Sequence, residues 1–183
     1  LHQQLLSIET SLGRVRVVRW GSRTADLDLL LYHWPTYEAA EIHSMSLEFL
    51  TYPYMEMFFE DDADRFRTGH LEDALLFLPY GCAVDEFQHR VYENPSMTPE
   101  ERAELWQELE RTYLPHRSYD GMPHNESGRL WQQQRHIYAS RFYYIDYCLA
   151  QTCALQMWHM ANDDRSHTMR SYRQLCHLGG SLP

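Results

Sequence analysis

Lysine is absent from this sequence: its 16 Lys-or-Arg positions are all arginine, set against 26 acidic residues for a net charge of −10. That balance argues against nucleic acid or an anionic membrane as a main partner, and the missing lysine reads as coding composition rather than function. No apolar run approaches the roughly 18 residues that span a bilayer, so no membrane partner is expected. The four cysteines (Cys82, Cys148, Cys153, Cys176) form no C-x-x-C pair. Without a signal peptide they read as reduced thiols of an intracellular, cytoplasmic protein. Repeats and low-complexity tracts are missing too. No histidine is followed by another four residues later, although there are 11 of them. With 183 residues the chain has the length of one domain. It begins at Leu1 rather than Met and stops just after a helix-ending signal, so a fragment of something larger is expected. Nothing in it speaks to oligomeric state.

Residues 1–33 differ from the rest, with Arg14, Arg16, Arg19 and Arg23 against Glu9, Asp26 and Asp28 in a stretch where Val15 to Val18 suits a short strand. From Thr36 onward the pattern is helical. Trp34-Pro35-Thr36 reads as a helix entry, and Pro53 predicts a kink before helix resumes through Met55 to Phe59. Further helices are expected over about Ala63–Pro79 and Cys82–Tyr92, followed by a turn at Asn94-Pro95-Ser96. Thr98-Pro99-Glu100-Glu101 is the sharpest helix start: an N-cap threonine, proline at the first position and glutamate three residues after the cap. Leu105, Leu109 and Tyr113 supply its buried stripe and Pro115 ends it. After a polar loop over His116–Gly128, helices are expected at about Phe142–Asn162 and Ser166–Leu178, the last closed by Gly179. The fold class is all-α.

Two constellations are able to carry chemistry. In Glu41-Ile42-His43-Ser44-Met45-Ser46-Leu47-Glu48, a helix puts Glu41, Ser44 and Glu48 on one face, flanked by apolar residues. Carboxylates near a core need cations, donors or a metal ion; a solvated acidic stripe is the plainer alternative, and both stay open. His43 points to another face and suits a structural hydrogen bond. The second is Arg135-His136-Ile137-Tyr138-Ala139-Ser140-Arg141-Phe142-Tyr143-Tyr144-Ile145-Asp146-Tyr147. Its four tyrosines suit a core cluster, yet Tyr144 and Tyr147 share a helical face with His136 close before them. Phenol and imidazole groups aimed into a cleft can donate to the oxyanion formed when water attacks a peptide carbonyl.

The segment Trp34-Pro35-Thr36-Tyr37-Glu38-Ala39-Ala40-Glu41-Ile42-His43-Ser44-Met45-Ser46-Leu47-Glu48-Phe49 resembles the stretch after the zinc-binding helix of oligoendopeptidase F-like peptidases, relatives of thimet oligopeptidase. Tyr172-Arg173-Gln174-Leu175-Cys176-His177-Leu178-Gly179-Gly180-Ser181 is similar to the stretch near the C-terminal end of that catalytic domain. The resemblance runs from about Tyr32 to Pro183 and divides the chain into an atypical segment, 1–31, and a partial oligopeptidase catalytic domain, 32–183, truncated at its C-terminal end. It implies a helical part of a zincin-type domain and zinc-dependent metalloendopeptidase action on oligopeptides. Glu41 is then the third protein ligand of one zinc ion, and Ser44 and Glu48 orient the histidine ligands. His136, Tyr144 and Tyr147 steady the tetrahedral intermediate, and Tyr138 and Tyr143 contact substrate.

One departure stands against this. Such a peptidase needs His-Glu-x-x-His, which the family places roughly two dozen residues before the third ligand. Those positions read Gly13-Arg14-Val15-Arg16-Val17, and a guanidinium offers no lone pair to a metal. A frame or gene-assembly error upstream, a degenerate relative and an unrelated helical module all account for the gap. A His-Glu-x-x-His in another reading frame upstream of Tyr32 would decide for the first. As written, the chain is expected to hydrolyse negligibly and to bind zinc weakly. The rival expectation is a non-catalytic helical peptide-binding or interaction protein.

Overall fold

In this computed structural model the described residues are 38–178, with side chains described from 41 to 177. The helix entry at residues 34–36, the strand at 15–18 and the Gly179 cap therefore lie outside them. Among the described residues the fold is all-α, as expected. Its α-helices are α1 (Glu38–Leu50), α2 (Glu56–Phe59), α3 (Ala63–Glu93), α4 (Pro99–Tyr113), α5 (Pro123–Glu126), α6 (His136–Ala139), α7 (Tyr144–Asp163) and α8 (Arg165–Leu178), with 3₁₀ turns at Tyr52–Tyr54, Glu60–Asp62 and Leu130–Gln133. Pro53 sits in the first 3₁₀ turn, between α1 and α2, where its fixed φ and missing N–H do least harm.

The described residues divide into two compact units, one made of residues 38–53 together with 149–178, the other Tyr54–Cys148. In the first, Ile42 of α1 packs with Ala150 and Cys153 of α7, and Leu175 of α8 leans on the same cluster. Phe49 and Tyr52 close around Trp158, with ring centroids 5.7 and 5.8 Å from the indole. Helix ends are tied off by side chains. Arg165 donates to the Leu50 carbonyl at 2.8 Å, and Asp164, just ahead of α8, accepts from the His167 amide at 2.9 Å. That bond holds the Asp164 carboxyl below the usual carboxylate range. Among the described residues His43 Nε2 is buried without a hydrogen-bond partner, and it is the His43 carbonyl that accepts, from the Tyr172 hydroxyl at 3.0 Å.

In the second unit α3 and α4 pack around Phe87, Trp106 and Trp131, the Phe87 ring lying 5.4 Å from one indole and 4.8 Å from the other. The capping box at α4 forms as read: Thr98 Oγ1 accepts from the Glu101 amide at 3.2 Å, and the Thr98 amide donates to Glu101 Oε2 at 2.7 Å.

One expectation is corrected here. Two helices were predicted over 63–92, but α3 runs unbroken for 31 residues with Pro79 inside it. Proline has no N–H to give the Leu75 carbonyl, and Leu75 itself is half exposed. Two residues on, Gly81 leaves room for α7: a Cβ there would stand 2.0 Å from Cys148 Sγ, which itself donates to the Leu78 carbonyl at 3.6 Å. Gly81 thus lets α7 approach α3 closely at Cys148, two residues past the proline. Gly128 plays a comparable part in the loop after α4. Its φ of +73° is one that L side chains resist, and a Cβ there would meet the Ala103 carbonyl oxygen at 2.1 Å.

Candidate functional site

The second constellation is brought together within the second unit. The one-turn helix α6 starts at His136, and four residues separate its end from α7, which starts at Tyr144. The connection turns through Phe142 in the left-handed region, φ +59°, held by its amide donating to Oε1 of the buried Gln88 at 3.0 Å and by its ring against His89 and Tyr92 at 4.8 and 5.0 Å. This reversal lays the His136 ring against the first turn of α7.

The His136 centroid lies 5.1 Å from that of Tyr144 and 5.5 Å from that of Tyr147, both edge-on. Tyr144 and Tyr147 are 5.5 Å apart, and Tyr143 meets Tyr147 at 5.2 Å. A long contact of 3.4 Å joins Tyr147 Oη to His136 Nε2. Tyr144 is the buried member, and burial raises its phenol far above the ordinary tyrosine value, so it stays a protonated donor. Tyr138 does not join the group. It is 60 % exposed, lies nearly parallel to the Trp131 ring at 6.0 Å, and lines a groove of about 280 Å³ with Phe87, Tyr92 and Arg102.

Sequence reading missed the second layer of this site. Gln134 Nε2 stands 2.7 Å from His136 Nδ1, and the Tyr80 hydroxyl donates to Gln134 Oε1 at 2.8 Å. Arg117 lies over the Tyr80 ring, 4.9 Å from its centroid. Only Gln134 is a sequence neighbour of His136; Tyr80 is 54 positions from Gln134, and no local pattern announces the pair.

Also unforeseen is an acidic pair, Asp146 buried and Asp85 half-buried. Asp146, on the first turn of α7, is 8 % exposed, and burial, reinforced by Asp85, raises its carboxyl to about 6. Asp85 is likewise raised by burial, with His89 Nε2 3.5 Å away opposing the shift.

Glu41, Ser44 and Glu48 lie on α1, in the first unit. Of the two settings left open for this face, a core edge and a solvated stripe, α1 presents some of each. Ser44 and Glu48 are exposed, Glu41 is half-buried, and the Ser44 hydroxyl donates to the Glu41 carbonyl at 3.1 Å. The buried face is Ile42, Ser46, Phe49 and Leu50. Among the described residues no group of three or more His, Cys, Asp or Glu side chains is arranged to hold a metal ion. No helix among them is long and apolar enough to cross a membrane.

Comparison with known proteins points in two directions of unequal weight. A curated relative, 2-amino-4-hydroxy-6-hydroxymethyldihydropteridine pyrophosphokinase of Bacillus subtilis (strain 168), is 33 % identical over 87 residues, 45 % of this chain, which spans about half (52 %) of that protein. A solved structure described as PZ peptidase A with inhibitor 2 is 55 % identical, covering 83 % of this chain and 27 % of its own, with a TM-score of 0.78. The family model of peptidase family M3 matches residues 22–183 and so takes in α1 to α8 and the His136–Tyr147 cluster. On that match and that likeness, the chain belongs to peptidase family M3.

Proposed function

We propose that this chain is the peptide-contacting part of a zinc-dependent metalloendopeptidase acting on oligopeptides, and that as written it binds peptides without cleaving them. The observation that carries the reading is the cluster of His136, Tyr144 and Tyr147, edge to edge within 5.5 Å in a member of a peptidase family. When water adds to a peptide carbonyl, negative charge collects on the carbonyl oxygen. Fixed donors in a partly buried setting stabilise that charge, and each is worth about 3 kcal/mol where such donors have been removed from other enzymes. The Tyr147 hydroxyl and the His136 ring are the half-buried members able to reach a bound peptide; Tyr144 backs them. Tyr143, against Tyr147, and the exposed Tyr138 would contact flanking residues of the peptide.

The family's zinc does not fit the residues present. No His-x-x-x-His occurs in the sequence, and the described side chains form no donor set. Glu41 as a lone ligand would leave the ion mostly hydrated and weakly held. No hydrolytic step is therefore assigned to this chain. A cytoplasmic setting suits its four unbridged thiols.

The test is calorimetric titration of the chain with oligopeptides of five to ten residues beside a fluorogenic cleavage assay with added zinc. Binding without turnover is expected, with affinity reduced about tenfold in His136→Ala and in Tyr147→Phe. Cleavage by the unaltered chain, or binding indifferent to both substitutions, would overturn the reading.

A second reading is favoured by one observation, an 87-residue likeness to the Bacillus relative, which is too long to lie wholly ahead of the peptidase match. Arg14, Arg16 and Arg19 precede residue 22, and the Bacillus relative is named a pyrophosphokinase. Arginines so crowded suit contact with pyrophosphate. Pyrophosphate binding that survives Arg14→Ala combined with Arg16→Ala would exclude it.

A further inference from the structure

We propose that Gln134 and Tyr80 are positioning residues that lock His136 as its neutral Nε2–H tautomer, so that the ring presents a donor, not an acceptor, toward Tyr147 and a bound peptide. The inference rests on the reading of His136 as a peptide-facing donor and adds to it the device that makes the ring one.

The argument starts at Tyr80. Its half-buried hydroxyl must place its proton on an acceptor, and the one it reaches is Gln134 Oε1 at 2.8 Å. That fixes which end of the amide faces which neighbour. With Oε1 turned to Tyr80, Nε2 is turned to His136, 2.7 Å from Nδ1. An amide nitrogen only donates, so Nδ1 must be the bare nitrogen and the ring proton must sit on Nε2. Nε2 is the atom beside Tyr147 Oη, at 3.4 Å, a distance loose enough for the N–H to be shared with an incoming carbonyl oxygen.

Turning the amide over would give the opposite tautomer, and the two arrangements differ in one respect. The turned amide faces Tyr80 with N–H groups and leaves the phenol proton without the acceptor it now has. Burial raises the Tyr80 phenol above its ordinary value, so ionisation does not remove that proton. Arg117 over the ring and Trp106 edge-on at 6.3 Å hold the phenol in place. The order of command is therefore Tyr80, then Gln134, then His136.

The test is long-range ¹H–¹⁵N spectroscopy of the full chain labelled with ¹⁵N-histidine, near neutral pH, with the His136 signals assigned by their loss in His136→Gln. The expected pattern is a protonated Nε2 and a bare Nδ1. In Gln134→Glu the carboxylate accepts from Nδ1, and the pattern should invert. In Tyr80→Phe, which deletes one oxygen, the amide is released and the single tautomer should give way to a mixture. A wild-type ring protonated at Nδ1, or a pattern unchanged in both variants, would overturn the proposal. Circular dichroism checks that each variant is folded; should Gln134→Glu fail to fold, Tyr80→Phe decides. The tautomer is read without peptide, so absence of peptide binding would sink the proposed function while this result stands on its own.

Discussion

The amide of Phe142 donates to Oε1 of Gln88 at 3.0 Å, joining the C-terminal part of α3 to the residue that turns the chain into α7. A phenylalanine at φ +59° is strained by about 1–3 kcal/mol, and this bond, with the ring contacts to His89 and Tyr92, holds it there. Gln88→Leu should therefore cost about 2 kcal/mol, seen as a lower urea midpoint at unchanged slope, because it leaves the Phe142 amide without its acceptor. The same variant should weaken peptide binding, since the reversal that brings His136 to Tyr144 is loosened.

Gly81 and Cys148 are coupled by contact. Gly81→Ala places a Cβ 2.0 Å from Cys148 Sγ and should destabilise by about 2–3 kcal/mol. Cys148→Ala alone should cost less, and the double variant should recover much of the loss. Additive effects in chemical denaturation of the four proteins would refute the coupling.

The stability of the chain should depend on Asp146 at mildly acidic pH. The folded carboxyl titrates at about 6, above an unfolded value of about 4, because burial beside Asp85 penalises its charged form. Its contribution is fully present below pH 4 and is lost as pH rises through 6. Asp146→Asn should flatten the stability profile over that interval by up to about 2 kcal/mol, as measured by thermal melts between pH 4 and 7. A profile identical to wild type would show that Asp146 ionises freely.

Thr98→Ala removes one half of the capping box of α4 and should cost about 1 kcal/mol, whereas Thr98→Ser should be nearly neutral. Thermal unfolding separates the two.

What could be read in the sequence was what is local. The capping box lies within four residues, and its geometry follows from residue types at fixed offsets. The stripe Leu105, Leu109 and Tyr113 also lay inward as read, with the two leucines buried and the tyrosine half-buried. The unbroken passage of α3 through Pro79 was not legible, because the rule for proline is local and predicts a stop, and the close approach of Gly81 to Cys148 just beyond it joins residues far apart in the chain. In the candidate site, the grouping of His136 with Tyr144 and Tyr147 was legible because all three lie within one turn of chain reversal. Tyr80 and Gln88 were not, since each meets its partner across 54 positions. On α1, periodicity put Glu41 and Glu48 on a common face but could not say whether that face was wet, and Glu48 proves exposed.

The uneven burial of the four thiols has a practical consequence. Cys148 and Cys153 are buried, Cys82 is half-buried and Cys176 is exposed. Burial pushes the Cys148 thiol up to about 12 and raises that of Cys82 as well. Only a thiolate attacks a maleimide at useful speed. A stoichiometric pulse of such a reagent on the native chain should land on Cys176 alone, giving α8 a ready attachment point for a fluorophore without any cysteine having to be engineered in or out.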